Sequence, residues 1–106
     1  MNRYAQADEI SVEAYLERNG AADVLAGDTI SAALVRADGA RAAGTADVVC
    51  TVVDLPTGLV RAAFSQGTTA AVVPGLYLVE FQITRSGARS TFRTPAAIEI
   101  YAGVVA

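Results

Sequence analysis

One segment of the chain constrains its fold more than any other, because a long run of alternating apolar and polar residues lies between two turn signals. The segment begins at Pro74-Gly75 and ends at Ser86-Gly87. Large apolar residues occupy every second position, which is the period of a strand with one buried face. These residues are Tyr77, Val79, Phe81 and Ile83. We therefore predict a long strand that turns this face toward the core.

Further segments with strand character follow one another, separated by turn signals. Residues 10–16 alternate apolar and polar positions, which favours a strand ending at an Asn19-Gly20 turn. A helix is the alternative there, because Glu, Ala, Leu and Arg are good helix formers and Asn19-Gly20 also suits a helix C-cap. The other predicted strands are 29–37, 47–53 (as a buried strand), 59–65, 76–84, 89–93 and 98–101. About seven short strands at this spacing are typical of a two-sheet antiparallel sandwich.

The 106 residues correspond to one domain. We expect an N-terminal arm at residues 1–8, a β-sandwich domain at 9–102 and an apolar C-terminal tail at 103–106. Residues 38–45 are rich in Ala, Gly and Arg and predict a mobile loop, and residues 66–73 predict a simple connection. The apolar runs are short and interrupted, so no membrane span and no signal peptide is expected.

The composition argues against several classes of function. The formal net charge of −3 disfavours nucleic acid as the partner, since phosphate binding needs a basic surface. The chain has no His, which leaves its single cysteine, Cys50, without a base to activate it. One Cys and scattered carboxylates do not supply the ligands of a zinc or calcium site. We therefore expect no enzyme activity, no catalytic residues, no cofactor and no metal.

Candidate interface residues come from three groups. Tyr is enriched at protein interfaces, and three tyrosines fall on polar faces or near the termini, although scattered half-exposed tyrosines are an equally good interpretation. Three arginines flank one predicted hairpin and suggest a basic patch for an acidic partner, the alternative being an ordinary solvated edge. The apolar tail supplies two valines. The candidates are Tyr4, Tyr15, Tyr101, Arg85, Arg89, Arg93, Val104 and Val105.

Several short motifs occur in an order that extends over residues 8–101. An acidic turn enters a strand at Asp8-Glu9-Ile10, and a Thr57-Gly58 turn leads into a strand that ends at Phe64. The most specific piece is Pro74-Gly75-Leu76-Tyr77, followed by a Glu-Phe strand, a Gly turn, a Thr-Phe return and Ile98-Glu99-Ile100. In this order the chain resembles small β-sandwich proteins of tailed bacteriophages and prophages, which are similar to the immunoglobulin-like N-terminal domain of phage baseplate upper proteins.

The resemblance implies an all-β, antiparallel immunoglobulin-like β-sandwich of about seven strands. It also implies a non-enzymatic structural component of a tailed-phage virion: a head decoration, connector, tail or baseplate protein assembled in the host bacterial cytoplasm. The expected partners are other virion structural proteins, contacted in a multimeric, symmetric assembly, with neither nucleic acid nor membrane as a partner. The alternative is a carbohydrate-binding or adhesin-type module, which the absence of Trp disfavours because sugar platforms use aromatic stacking.

Overall fold

The computed structural model of the chain describes residues 2–6, 8–36, 47–94 and 97–102. In chain order its elements are β1 (Asn2–Ala5), β2 (Ile10–Tyr15), β3 (Glu17–Arg18), β4 (Ala21–Ala22), β5 (Thr29–Val35), β6 (Val48–Val49), β7 (Thr51–Asp54), β8 (Leu59–Phe64), α1 (Gln66–Ala70), β9 (Gly75–Arg85), β10 (Ala88–Arg93) and β11 (Ile98–Tyr101). Over the described ranges the regular structure is β-strand apart from the short helix α1, and the strands predicted at 10–16, 29–37, 59–65, 76–84, 89–93 and 98–101 are confirmed.

The strands form two sheets and one small ribbon. The larger sheet has the order β1-β11-β9-β5-β6, with β10 also paired to β9, and the smaller sheet has the order β2-β8-β7. The ribbon consists of β3 and β4. Pairing is antiparallel throughout except between β1 and β11. Two antiparallel sheets with the orders β7-β8-β2 and β6-β5-β9-β11 correspond to the two sheets of an immunoglobulin-like domain, so the predicted all-β antiparallel sandwich is confirmed.

Strand β9 is the centre of the core, as its alternation predicts. Its inward residues Tyr77, Val79, Phe81 and Ile83 are all buried. β9 is long enough to pair with β5 along one side and with both β11 and β10 along the other. The core residues contributed by other elements are Ile10, Leu16, Val24, Ile30, Ala32, Leu34, Val60, Ala62, Phe64, Val72, Ile98 and Ile100.

Two hairpins turn at the residues that the sequence indicates. Asn19 and Gly20 have φ values of 54° and 78° between β3 and β4, and Ser86 and Gly87 have 50° and 81° between β9 and β10. Two consecutive residues with positive φ are the mark of a type I′ turn, whose twist matches that of the flanking strands. The Asn19-Gly20 turn and the strand before it thus replace the helical alternative.

The connection from β8 to β9 is more structured than the sequence predicts. Ser65 caps α1 by accepting a hydrogen bond from the Thr68 amide. The Thr69 hydroxyl is buried and donates to the Asp8 carbonyl at 2.6 Å. After the helix, the Tyr77 hydroxyl donates to the Val73 carbonyl. A tyrosine that bonds back across this corner is a hallmark of immunoglobulin-like sandwiches.

Two segments differ from their sequence-based descriptions. Residues 47–53 form not one buried strand but the short strands β6 and β7, which are largely exposed, so that prediction is wrong. They lie at sheet edges, where a β-branched run pairs on one side only. Residues 2–5, within the expected arm, form β1, which pairs with β11. Tyr4 of this strand is half-buried against the core. The predicted loop at 38–45 and the tail at 103–106 lie outside the described residues.

Candidate functional site

Several exposed apolar side chains lie along the segment where the chain passes from the larger sheet to the smaller one. We call this group the valine edge and define it as Val49, Val52, Val53 and Leu55. Val49 is 82% exposed, and the other three are also exposed. β6 and β7 form an edge of their respective sheets, so no described strand covers them. A group of exposed apolar side chains on edge strands is unusual on a protein that remains alone in water.

Cys50 is the single residue between β6 and β7, and its contacts fix the point where the chain changes sheets. Its amide donates to the Ile30 carbonyl at 2.9 Å, and its side chain packs against the core. Burial raises the pKa of the thiol to about 11, so the thiol stays protonated near neutral pH. The residue therefore contributes packing, in keeping with its sequence context.

The loop between β4 and β5 and the end of β9 carry a network of paired charges. We call Arg18, Asp23, Asp28 and Arg85 the charge network. Arg85 donates to both Asp28 oxygens at 2.9 and 2.7 Å and to the Asp23 carbonyl at 3.0 Å. Arg18 donates to the Asp23 carboxylate at 2.9 Å. The network joins the β3–β4 ribbon, the 23–28 loop and the end of β9.

The two carboxyl groups of this network are held in their charged form. The side chain of Asp28 is only 3% exposed, and its hydrogen bond from Arg85 lowers its pKa against the opposing effect of burial. The hydrogen bond from Arg18 lowers the pKa of Asp23 in the same way. In return, the bond to Asp28 raises the pKa of Arg85. Such bidentate pairs are stronger and more directional than single ion pairs.

The three arginines predicted to form a basic patch are not equivalent. Arg85 belongs to the charge network, and Arg93 donates to Glu80 at 2.8 Å. Arg89 is exposed on β10. Two of the three charges are thus neutralised within the chain, so the structure brings the arginines to one hairpin without making a strongly basic surface. An interface at these residues stays a prediction.

The three candidate tyrosines occupy different settings. Tyr4 is half-buried against the core. Tyr101 is exposed at the end of β11, with the Arg3 guanidinium 4.8 Å from its ring centre. Tyr15 ends β2 and is 60% exposed, which makes it the most accessible of the three. The remaining candidates, Val104 and Val105, lie outside the described residues.

A cleft of about 410 Å³ lies between the edge of β2 and the end of β10. We call it the β2 cleft. Phe92 and Ala14, both half-buried, contribute apolar surface, and Tyr15 stands at its mouth. A second, more open cavity of about 560 Å³ shares Tyr15 and Glu17 with it. The complete lining of the β2 cleft is Glu13, Ala14, Tyr15, Leu16, Glu17, Phe81, Phe92, Arg93 and Thr94.

The contacts that the candidate residues make within the described part of the chain are packing and charge pairing. No group of three or more Cys, Asp or Glu in these ranges is arranged to hold a metal ion. The described elements include no helix long and apolar enough to cross a membrane. No protein-family model matches the chain, and no curated protein matches it.

Sequence reasoning missed both the valine edge and the β2 cleft. The run Val48-Val49-Cys50-Thr51-Val52-Val53 looks like a buried strand because it is β-branched, and only its sheet position exposes it. The cleft depends on the distance between two strands far apart in sequence. A weak local signal exists in Ala14, the smallest inward-facing residue of β2, which leaves space that a larger residue would fill.

Proposed function

We propose that this chain is a non-enzymatic structural component of a tailed-phage virion, which docks onto other virion proteins in many copies. The valine edge is the observation that carries the proposal beyond the ordered motifs of residues 8–101. It offers four exposed apolar side chains next to unpaired strand backbone, and both features are used when small sandwiches pack into symmetric assemblies.

The backbone pattern supports docking at this edge. The Leu16 amide donates to the Gly58 carbonyl. Because hydrogen-bonded pairs alternate along an antiparallel ladder, the backbone groups of the even-numbered residues of β2 point toward β8, and those of Val60 and Ala62 point toward β2. The backbone groups of Arg61 therefore point the other way, toward Thr51, its partner in β7. The polar backbone groups of Val52 then point away from β8, toward the open side. A neighbouring protein that covers the valine edge gains both apolar burial and these hydrogen bonds.

The sequence composition is consistent with a chain that has partners. Apolar residues make up 53% of the chain and charged residues only 18%. Small domains cannot bury all apolar residues in one core, because their surface is large relative to their volume. Part of the surplus lies at the valine edge, where contact with another protein would remove it from water.

Quantitative mass spectrometry of purified particles tests the proposal. Particles are collected from the strain that carries the gene, after induction, and washed in high salt. We expect the chain at a fixed ratio to the main structural proteins, and a Val52→Lys chain, supplied in trans with wild type, to be depleted from particles. Leu76→Lys is the matched control, because Leu76 is also apolar and is 54% exposed, against 39% for Val52, but lies on β9.

Two results would contradict the virion proposal. One is absence of the chain from particles whose other structural proteins are all detected. The other is specific binding of the free chain on a glycan array, which would support the alternative of a carbohydrate-binding or adhesin-type module. Equal incorporation of the Val52→Lys chain would remove the valine edge as the docking surface.

A further inference from the structure

We propose that the free edge of β2 and the β2 cleft together form a binding site for an extended peptide segment that alternates apolar and basic residues. The segment would add to β2 as an extra antiparallel or parallel strand, with its apolar side chains in the cleft. This site is distinct from the valine edge. If no peptide binds at β2, the virion proposal is unaffected, and if the chain is absent from particles, the peptide site is unaffected.

The first observation is the regular, unpaired edge of β2. All six residues of β2 are in continuous register with β8, without a bulge, and no described strand pairs with the other side. Because even-numbered residues bond to β8, the amides and carbonyls of Ser11, Glu13 and Tyr15 point to the open edge. β10, across the cleft, has a free edge as well among the described strands. Such an edge is the template for strand addition.

The second observation is incomplete coverage of the core beside this edge. On the inward face of β2, Ile10 and Leu16 are fully buried, whereas Val12 and Ala14 are only half-buried. Phe92 on β10 is also half-buried and lines the cleft with Ala14. An added strand places every second side chain on this inward face. A medium-sized apolar side chain opposite Ala14 would fill the cleft and cover Phe92.

The third observation is the charge around the cleft, which selects the partner. Glu17 makes no ion pair within the described part of the chain, and Glu13 has only a 3.6 Å contact with Arg61 on the outer face. The two cations beside the cleft are already paired: Arg93 is bonded to Glu80, and Arg18, whose guanidinium lies 5.4 Å from the centre of the Phe92 ring, is bonded to Asp23. Basic residues on the outward-facing positions of an added strand would lie across from Glu13 and beside Glu17, and opposite charges in cross-strand pairs are stabilising.

The same charge disfavours a second copy of the chain as the occupant. Antiparallel pairing of β2 with itself about Glu13 would set two glutamates directly opposite each other, which is a repulsive arrangement. Each copy also brings a net charge of −3. A segment with Arg or Lys at alternate positions meets neither obstacle.

The probe for this site is a capped synthetic peptide, Ser-Arg-Leu-Arg-Val-Arg-Leu-Ser. One control peptide carries Glu in place of each Arg. Two further controls are N-methylated at alternate amides, one at the odd-numbered and one at the even-numbered positions, so that each lacks one of the two possible sets of strand hydrogen bonds. Binding is followed by NMR hydrogen exchange of the β2 amides. In the free protein, Ser11, Glu13 and Tyr15 should exchange rapidly, while Val12 and Ala14 are already protected by β8.

Addition of the basic peptide is expected to slow exchange at Ser11, Glu13 and Tyr15 in proportion to occupancy, while the acidic peptide and the N-methylated peptide that lacks the bonds to β2 have no effect. Glu13→Lys should weaken binding about fivefold, and Glu99→Lys, the same charge change on the larger sheet, should leave it unchanged. Ala14→Leu should fill the cleft and abolish binding, whereas Ala63→Leu on the exposed face of β8 should not.

The proposal is overturned if saturating basic peptide leaves the three amides unprotected. It is also overturned if the acidic peptide binds equally well, since charge then plays no selective part, or if protection appears at Val52 instead. A Glu13→Lys protein that prefers the acidic peptide would be the strongest support, because the preference can change only if that position faces the added strand.

Discussion

Two regions of this sandwich are closed in different ways. In one, which we call the hairpin side, the ends of β2, β4 and β9 are joined by the charge network and by close packing around Leu16. In the other, β6 and β7 are short, and the side chains of the valine edge are exposed. The first region obtains its order from contacts within the chain, whereas the second exposes apolar surface that no described strand covers.

This difference separates residues that determine stability from residues available for binding. Substitutions on the hairpin side should change the free energy of unfolding, because contacts such as Arg85–Asp28 and Gly58–Leu16 join distant parts of the chain. Substitutions on the valine edge should leave stability almost unchanged and act on association. The following variants test that separation, beginning with the largest expected effect.

Replacing Phe81 by Ala should destabilise the protein by about 3–5 kcal/mol, because it removes a fully buried aromatic ring and leaves a cavity below the β2 cleft. Val49→Ala, on the valine edge, should change stability by less than about 0.5 kcal/mol, since Val49 is mostly exposed. Urea denaturation measures both. Comparable losses for the two variants would show that the valine edge is part of the core.

Gly58→Ala should cost about 2–4 kcal/mol, because two separate penalties combine. Gly58 has φ of 74°, and a Cβ there would lie 2.8 Å from the Leu16 carbonyl oxygen. Gly20→Ala is the matched control: its φ is 78°, but nothing lies within 4 Å of the added carbon, so only the backbone strain of about 1–2 kcal/mol applies. Equal thermal unfolding temperatures for the two variants would argue against tight packing on the hairpin side.

Acid should weaken the hairpin side through Asp28 and Asp23. Their folded pKa values are lowered by Arg85 and Arg18, so their stabilising contribution is complete above the unfolded value of about 3.9 and is lost as pH falls through the lower folded values. We expect the urea midpoint of the wild type to decline below about pH 4. Asp28→Asn should be less stable at pH 7 and show a shallower decline, and a decline of unchanged steepness would contradict the assignment to Asp28.

The sequence predicted the parts of the fold that depend on local patterns. The alternation around Tyr77 and Phe81 identified β9 and its inward face, and Asn19-Gly20 and Ser86-Gly87 identified two turns whose positive φ values are a property of a few residue types. The exposure of Val49 was not predictable in this way. Whether a β-branched residue is buried depends on which strands lie on either side of it, and that is fixed by sheet order.

The candidate sites depended even more on tertiary structure. Arg85 and Arg93 looked like a basic patch because their partners, Asp28 and Glu80, are 57 and 13 residues away in the chain. Tyr15 was identified as an interface candidate from its place on a polar face, and its exposure agrees with that reasoning. The β2 cleft had no comparable signal, because its walls come from β2 and β10.

If a partner covers the valine edge in the assembled particle, as we propose, hydrogen exchange at the Val52 amide must slow on assembly. The exchange of residues 48–54 is compared between the isolated chain and the chain within purified particles, with Val79 in the core as an internal reference. We expect rapid exchange at Val52 in the isolated chain and at least about tenfold slower exchange in particles. Equally rapid exchange at Val52 in both states would contradict the proposal.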